Sequence, residues 1–88
     1  MRIEFDQRKA ASNLKKHGVS FDEAASALLD LMALVREDDD TQDEVRFLLV
    51  GMSNTGHLIT VCYALRKEMI RLISARMATK NERKQYEN

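Results

Sequence analysis

Three apolar runs packed into residues 45–75, with very little chain between them, limit the possible folds more than any other feature. Val45 to Gly51, His57 to Leu65 and Met69 to Ala75 each have the length of a strand, and the second carries β-branched Ile59, Thr60 and Val61. Ser53-Asn-Thr-Gly56 separates the first two, and Arg66-Lys-Glu68 separates the second two. Connections this short join antiparallel neighbours, because a parallel return needs a dozen or more residues. An antiparallel meander is therefore the centre of the fold, and everything else must pack on it or extend it.

The flanking segments change period. Met1 to Phe5 sets Ile3 and Phe5 against Arg2 and Glu4, a short strand. Asp6 then stands as an N-cap, and Ala10, Ala11 and Leu14 share one side of a helix running to about His17. Gly18 follows as the residue past the helix end, where the left-handed backbone suits glycine. Ser20-Phe-Asp-Glu23 reads as a capping box opening a second helix through about Leu29, so the two helices form a tight hairpin. Met32 to Arg36 is a further strand, and Asp38 to Asp43 an acidic loop. After the last strand, Thr79 with Glu82 is another capping box and starts a short basic helix. The order is β-α-α-β-β-β-β-α in one α+β domain spanning residues 1–88. The helical hairpin covers one face of a mostly antiparallel sheet, and a short helix closes the chain.

Charge is segregated although the formal net charge is zero. Residues 1–19 and 66–88 are basic, whereas residues 20–44 hold nine acids against a single arginine, and Arg46 is the one charge between residues 45 and 65. Basic ends suit nucleic acid and an acidic middle suits a basic protein, unless folding mixes the charges again. A strand running into a helix with several arginines at the junction places fixed positive charge beside free N–H groups, an arrangement fit for a phosphate-bearing ligand. A solvated basic helix behind a core strand is the plainer alternative. No segment has the length of a membrane helix or the pattern of a secretory signal, and the single Cys62 sits inside an apolar strand, so a reducing cytoplasm is the expected compartment. No cofactor motif or metal-ligand spacing stands out. Asp38, Asp39 and Asp40 are consecutive and read as solvated rather than as a cation site.

Two blocks of residues carry a family resemblance. The first is Phe5-Asp6, Lys9-Ala10, Asn13, Lys16-His17-Gly18-Val19-Ser20-Phe21 and Glu23-Ala24; the second is Arg71-Leu-Ile-Ser74-Ala75-Arg76, Ala78-Thr79, Glu82-Arg83 and Tyr86-Glu87. In this order and spacing they resemble the opening and closing signatures of the BrnT family, across essentially the whole chain. The resemblance implies a RelE-like fold and a toxin of a type II toxin–antitoxin pair, with ribonuclease activity that arrests growth. It also implies a cognate antitoxin that binds operator DNA through a ribbon-helix-helix module, in a complex with two copies of each protein. The toxin itself would reach the operator only through that antitoxin.

Cleavage of RNA without metal requires activation of the 2′-hydroxyl, charge stabilisation at phosphorus and a proton for the leaving oxygen. Arg71 and Arg76 are the expected phosphate-binding and transition-state groups, because a guanidinium can hold two phosphate oxygens at once. Strict alternation sets Ile70, Leu72 and Ser74 on one side of the last strand and Arg71 with Ile73 on the other. Tyr86, about one helical turn past Glu82 and Arg83, is the expected proton donor or stacking platform. Lys80, Arg83, Tyr63 and His17 are the expected RNA-binding residues, with Tyr63 as an alternative stacking group. Arg83 can equally pair with surface acids, His17 in isolation reads more as a partner of its helix end or a packing residue, and Glu82 reads as a cap rather than a base. A subunit from another class, one that holds an antitoxin without cutting RNA, is the alternative that the acidic middle favours.

Overall fold

The meander forms at the centre of the sheet in a computed structural model that describes residues 2–39 and 44–88. The elements are β1 (Arg2–Glu4), α1 (Gln7–His17), α2 (Phe21–Ala27), β2 (Leu34–Asp38), β3 (Arg46–Met52), β4 (Leu58–Arg66), β5 (Met69–Met77) and α3 (Lys80–Glu87). Their order is the expected one. The five strands make one sheet in the order β1-β5-β4-β3-β2. All neighbours are antiparallel except β1, which lies parallel to β5 with Arg2 opposite Met69 and Glu4 opposite Arg71. Met1 and most of the acidic loop, residues 40–43, lie outside the described residues.

Helix ends form where local chemistry directs them. Asp6 caps α1 by accepting from the Arg8 N–H at 2.8 Å. Gly18 ends it with φ at 73° and donates its N–H to the Leu14 carbonyl. Ser20 caps α2 through the Glu23 N–H at 3.0 Å. The Ser20–Glu23 box is only half made, however, because the Glu23 carboxylate turns instead to the β3–β4 hairpin. There it accepts from the Ser53 and Thr55 hydroxyls and pairs with His57 Nδ1, at 2.6–2.7 Å. The helix ends at Ala27 rather than Leu29. Asp30 ties the following turn, its Oδ1 accepting from the Met32 N–H, and this moves β2 to Leu34–Asp38.

The core lies between the sheet and α1 with α2. Phe21, Ala24 and Ala27 from α2 meet Leu49, Ile59, Val61, Tyr63, Ile70, Leu72 and Ala75 from the strands. Small residues bring α2 close: a Cβ on Gly51 would lie 2.8 Å from the Ala27 carbonyl oxygen. Phe5 meets Phe21 edge-on at 5.3 Å between ring centroids. Asn13 is the polar exception, 6% exposed. Its amide donates to the Val19 and Ala75 carbonyls, and its oxygen accepts from the Ala75 N–H. One side chain thus joins α1 to the edge of β5 beyond the end of β1 and satisfies backbone groups there.

Candidate active site

The face of the sheet turned away from α1 and α2 is shaped by one irregularity. Along β4 and β5, Cys62 pairs with Ser74 but Tyr63 pairs with Leu72, so Ile73 is an extra residue. A bulge of this kind reverses the alternation beyond it. Leu72 and Ala75 both enter the core, and Arg71, Ser74 and Arg76 share the opposite face. This corrects the expected placing of Ser74 beside Ile70 and Leu72. Because Ile73 is extra, Arg71 and Arg76 lie opposite Ala64 and Thr60, four partner positions at about 3.3 Å each, or roughly 13 Å apart along the strand.

The two guanidinium groups are held differently. Arg71 Nη1 donates to Glu4 Oε1 at 3.2 Å, a single contact between half-exposed side chains on adjoining strands. Arg76 makes a two-point fork to Glu82, Nη1 to Oε1 at 2.8 Å and Nη2 to Oε2 at 3.1 Å. The same carboxylate accepts from the Thr60 hydroxyl at 2.8 Å and from the Thr79 N–H at 2.9 Å, completing the capping box at the start of α3. The Arg76 fork, the backbone and Thr60 together pull the Glu82 pKa from 4.5 to about 2. Glu82 is thus the cap the sequence suggests, and also the group that occupies Arg76.

Tyr86 lies at the far end of α3, which packs against β3. Its hydroxyl donates to Asp30 Oδ2 at 2.6 Å, and Asp30 also accepts from the Met32 and Met52 N–H groups. The bond to Asp30 raises the Tyr86 pKa and lowers that of Asp30. Tyr86 therefore latches α3 to the α2–β2 turn, on the side of the sheet remote from Arg71 and β1. Nothing in the sequence ties Asp30 to Tyr86, 56 residues away.

Tyr63 turns toward the helices. It follows the phase of Val61 into the core, is 9% exposed, and stacks on Phe47 at 5.5 Å; burial raises its pKa. His17 is exposed and lies beside β5 on the α1 side, where Lys9, Ser12, Lys16, Ile73 and Ser74 line a recess of about 270 Å³ with it. Lys80 and Arg83 are exposed on the first turns of α3.

Residues outside the expected set also face this side. Arg46 stands opposite Ala64 on β3, and its Nε is buried without a partner among the described residues. Cys62 is buried nearby; burial raises its thiol pKa, with Arg46 and Ser74 pulling the other way. The available signal for Arg46 was its being the one charge inside two apolar strands. Among the described residues, no group of His, Cys, Asp and Glu could hold a metal ion, and no helix is long and apolar enough to cross a membrane.

The sequence matches, over residues 5–82, a family described as the ribonuclease toxin, BrnT, of type II toxin–antitoxin systems. Among solved structures, the crystal structure of the Brucella abortus ribonuclease toxin, BrnT, is similar, at 28% identity and a TM-score of 0.68. The likeness covers 91% of this chain and 99% of that one. No curated protein matches the chain at a significant level.

Proposed function

The chain belongs to the BrnT family of ribonuclease toxins of type II toxin–antitoxin systems, and from that premise we propose that it cleaves RNA without a metal, on the open face of the sheet, until an antitoxin neutralises it. The observation that carries this reading is the bulge at Ile73, which sets Arg71, Ser74 and Arg76 on one face. The 2′-oxygen attacks the adjoining phosphorus and forms the new P–O bond. The P–O5′ bond breaks, and the proton lost by the 2′-hydroxyl is matched by one gained at the 5′-oxygen. Arg71 binds the reacting phosphate and stabilises the charge that builds on it; its single, solvent-screened contact with Glu4 is readily exchanged for phosphate. Arg76 holds a second phosphate when Glu82 yields. Tyr86 keeps its proton at neutral pH and supplies it, or stacks a base, when α3 shifts from Asp30. Lys80, Arg83 and His17 attract the RNA backbone from the two margins. The antitoxin carries a ribbon-helix-helix module, forms a complex with two copies of each protein, and alone contacts operator DNA. The pair acts in the cytoplasm and stops growth when the antitoxin is lost.

The test uses purified, folded protein freed of antitoxin, an RNA substrate and excess chelator. Wild type is expected to cut, and Arg71→Ala to cut about 10²-fold more slowly with an unchanged melting temperature. Intact RNA with the folded wild type sinks the enzymatic reading, and cleavage that stops on chelation sinks its metal independence. One observation favours a second reading, a non-catalytic subunit that holds an antitoxin and tunes repression: the Arg76 fork is already filled by Glu82. That reading gains if the folded wild type binds the antitoxin while RNA and growth stay unaffected.

A further inference from the structure

The acidic side of the molecule carries a feature that RNA cleavage does not use. β2 is the outermost strand of the sheet, and every second residue of such a strand turns its N–H and C=O away from its neighbour. Among the described residues no further strand pairs with that edge. The chain entering it is apolar and strongly exposed: Leu29 is 78% exposed, Leu31 99% and Met32 73%. Within the strand, Val35 and Leu34 remain 52% and 42% exposed on its two sides. A margin with this much uncovered apolar surface beside unpaired backbone is a site for strand addition. Its far end is acidic, with Glu37 and Asp39 both exposed.

We infer that β2 is the docking edge for the antitoxin, which adds an extended segment of its own there. Apolar side chains of that segment cover Leu31 and Val35, and lysine or arginine beyond them faces Glu37 and Asp39. The inference rests on the toxin reading, since it takes the antitoxin as the occupant. Charge decides for a basic partner: along described residues 34–39, Glu37 and Asp39 are exposed against a single exposed arginine, Arg36, so a basic segment is drawn to this margin and RNA is repelled from it. A second copy of the chain fits less well. Full antiparallel overlap of two β2 strands sets Arg36 directly opposite Arg36, a like-charge pair. The location also separates inhibition from the arginines on β5, at the other side of the sheet.

The test is a binding titration of the full chain with the protein encoded by the adjoining reading frame, alongside RNA cleavage by the free chain. The double variant Leu31→Asp with Val35→Asp is expected to lose about tenfold or more in affinity and to cleave RNA as wild type does. Glu37→Lys with Asp39→Lys is expected to lose affinity and to flatten its dependence on salt. All four positions are solvent-exposed, so folding is retained, and circular dichroism checks it. Affinities within twofold of wild type in both variants overturn the inference and leave the toxin reading standing. A wild-type dimer that these variants abolish, with antitoxin affinity unchanged, assigns the edge to a second copy and also overturns it. A wild type that neither binds the neighbour nor cuts RNA removes both readings.

Discussion

The two faces of the sheet come from the same strands, yet they are built on opposite terms. Under α1 and α2, Leu49, Ile59, Val61, Ile70, Leu72 and Ala75 meet Phe21, Ala24 and Ala27 with no charged group among them. On the other face, Arg46, Arg71, Ser74 and Arg76 share the surface with Leu48, Val50, Leu58, Thr60, Cys62 and Ala64. The first face holds the domain together through buried area and close packing. The second holds Arg71 and Arg76 through carboxylates, by a single contact at Arg71 and a two-point fork at Arg76. The period of two lets one strand serve stability and chemistry separately, and the bulge at Ile73 keeps Arg76 on the chemical side.

Substitutions on the closed face test the stability half of this contrast most severely. Phe21→Ala removes a ring that is 2% exposed and is expected to cost about 3–5 kcal/mol in urea denaturation, enough to unfold much of a domain this small. A cost below about 1 kcal/mol would show that the face is loosely packed. Asn13→Ala comes next, at about 2–3 kcal/mol, because it leaves the Ala75 N–H and two carbonyls without partners next to the core. Asn13→Asp sharpens the point, since it keeps an acceptor for Ala75 and loses the amide donors.

Acid probes the partly buried carboxylate contacts on both sides without mutation. Glu82 and Glu23 both have pKa values lowered from 4.5 to about 2, the first by its Arg76 fork and the second by the Thr55 and Ser53 hydroxyls and His57. A lowered folded-state pKa means that their stabilisation is complete above 4.5 and is lost as the pH falls toward 2. Melting temperature is therefore expected to be level from pH 7 to about 5 and to drop below it, with a shallower drop in Glu82→Gln. An equal acid drop in wild type and Glu82→Gln would show that Glu82 is not part of the cause. The smallest stability effect belongs to Arg71→Ala, within about 1 kcal/mol, because its ion pair with Glu4 is a single, only partly buried contact. A large destabilisation there would make Arg71 a structural residue and blur the contrast between the faces.

Much of this architecture was legible along the chain. The short turns at Ser53–Gly56 and Arg66–Glu68 required the meander, and Asp6, Gly18 and Thr79 marked helix ends through bonds to residues at most four away. The candidate site was legible in part. Alternation set Arg71 on the side away from Ile70 and Leu72, whereas the burial of Tyr63 could not be read locally, because a lone tyrosine in an apolar strand has no local sign of which face it takes. Asp30 and Arg46 gave too little sign, since their partners or surroundings come from distant chain.

What the sequence determined by itself is therefore the set of elements, their order, the antiparallel centre and the basic strand-to-helix end. All of these rest on spacing, capping and turn length within a few residues. What only the tertiary structure decided is the phase of β5 beyond Ile73, the parallel docking of β1, and the partners of the charged groups: Glu4 for Arg71, Glu82 with Thr60 for Arg76, Asp30 for Tyr86, and the β3–β4 hairpin for Glu23. The physical reason is that a bulge and an ion pair are settled by which chains lie side by side. A one-residue shift in that pairing exchanges every side chain between the face under α1 and α2 and the face that carries the arginines.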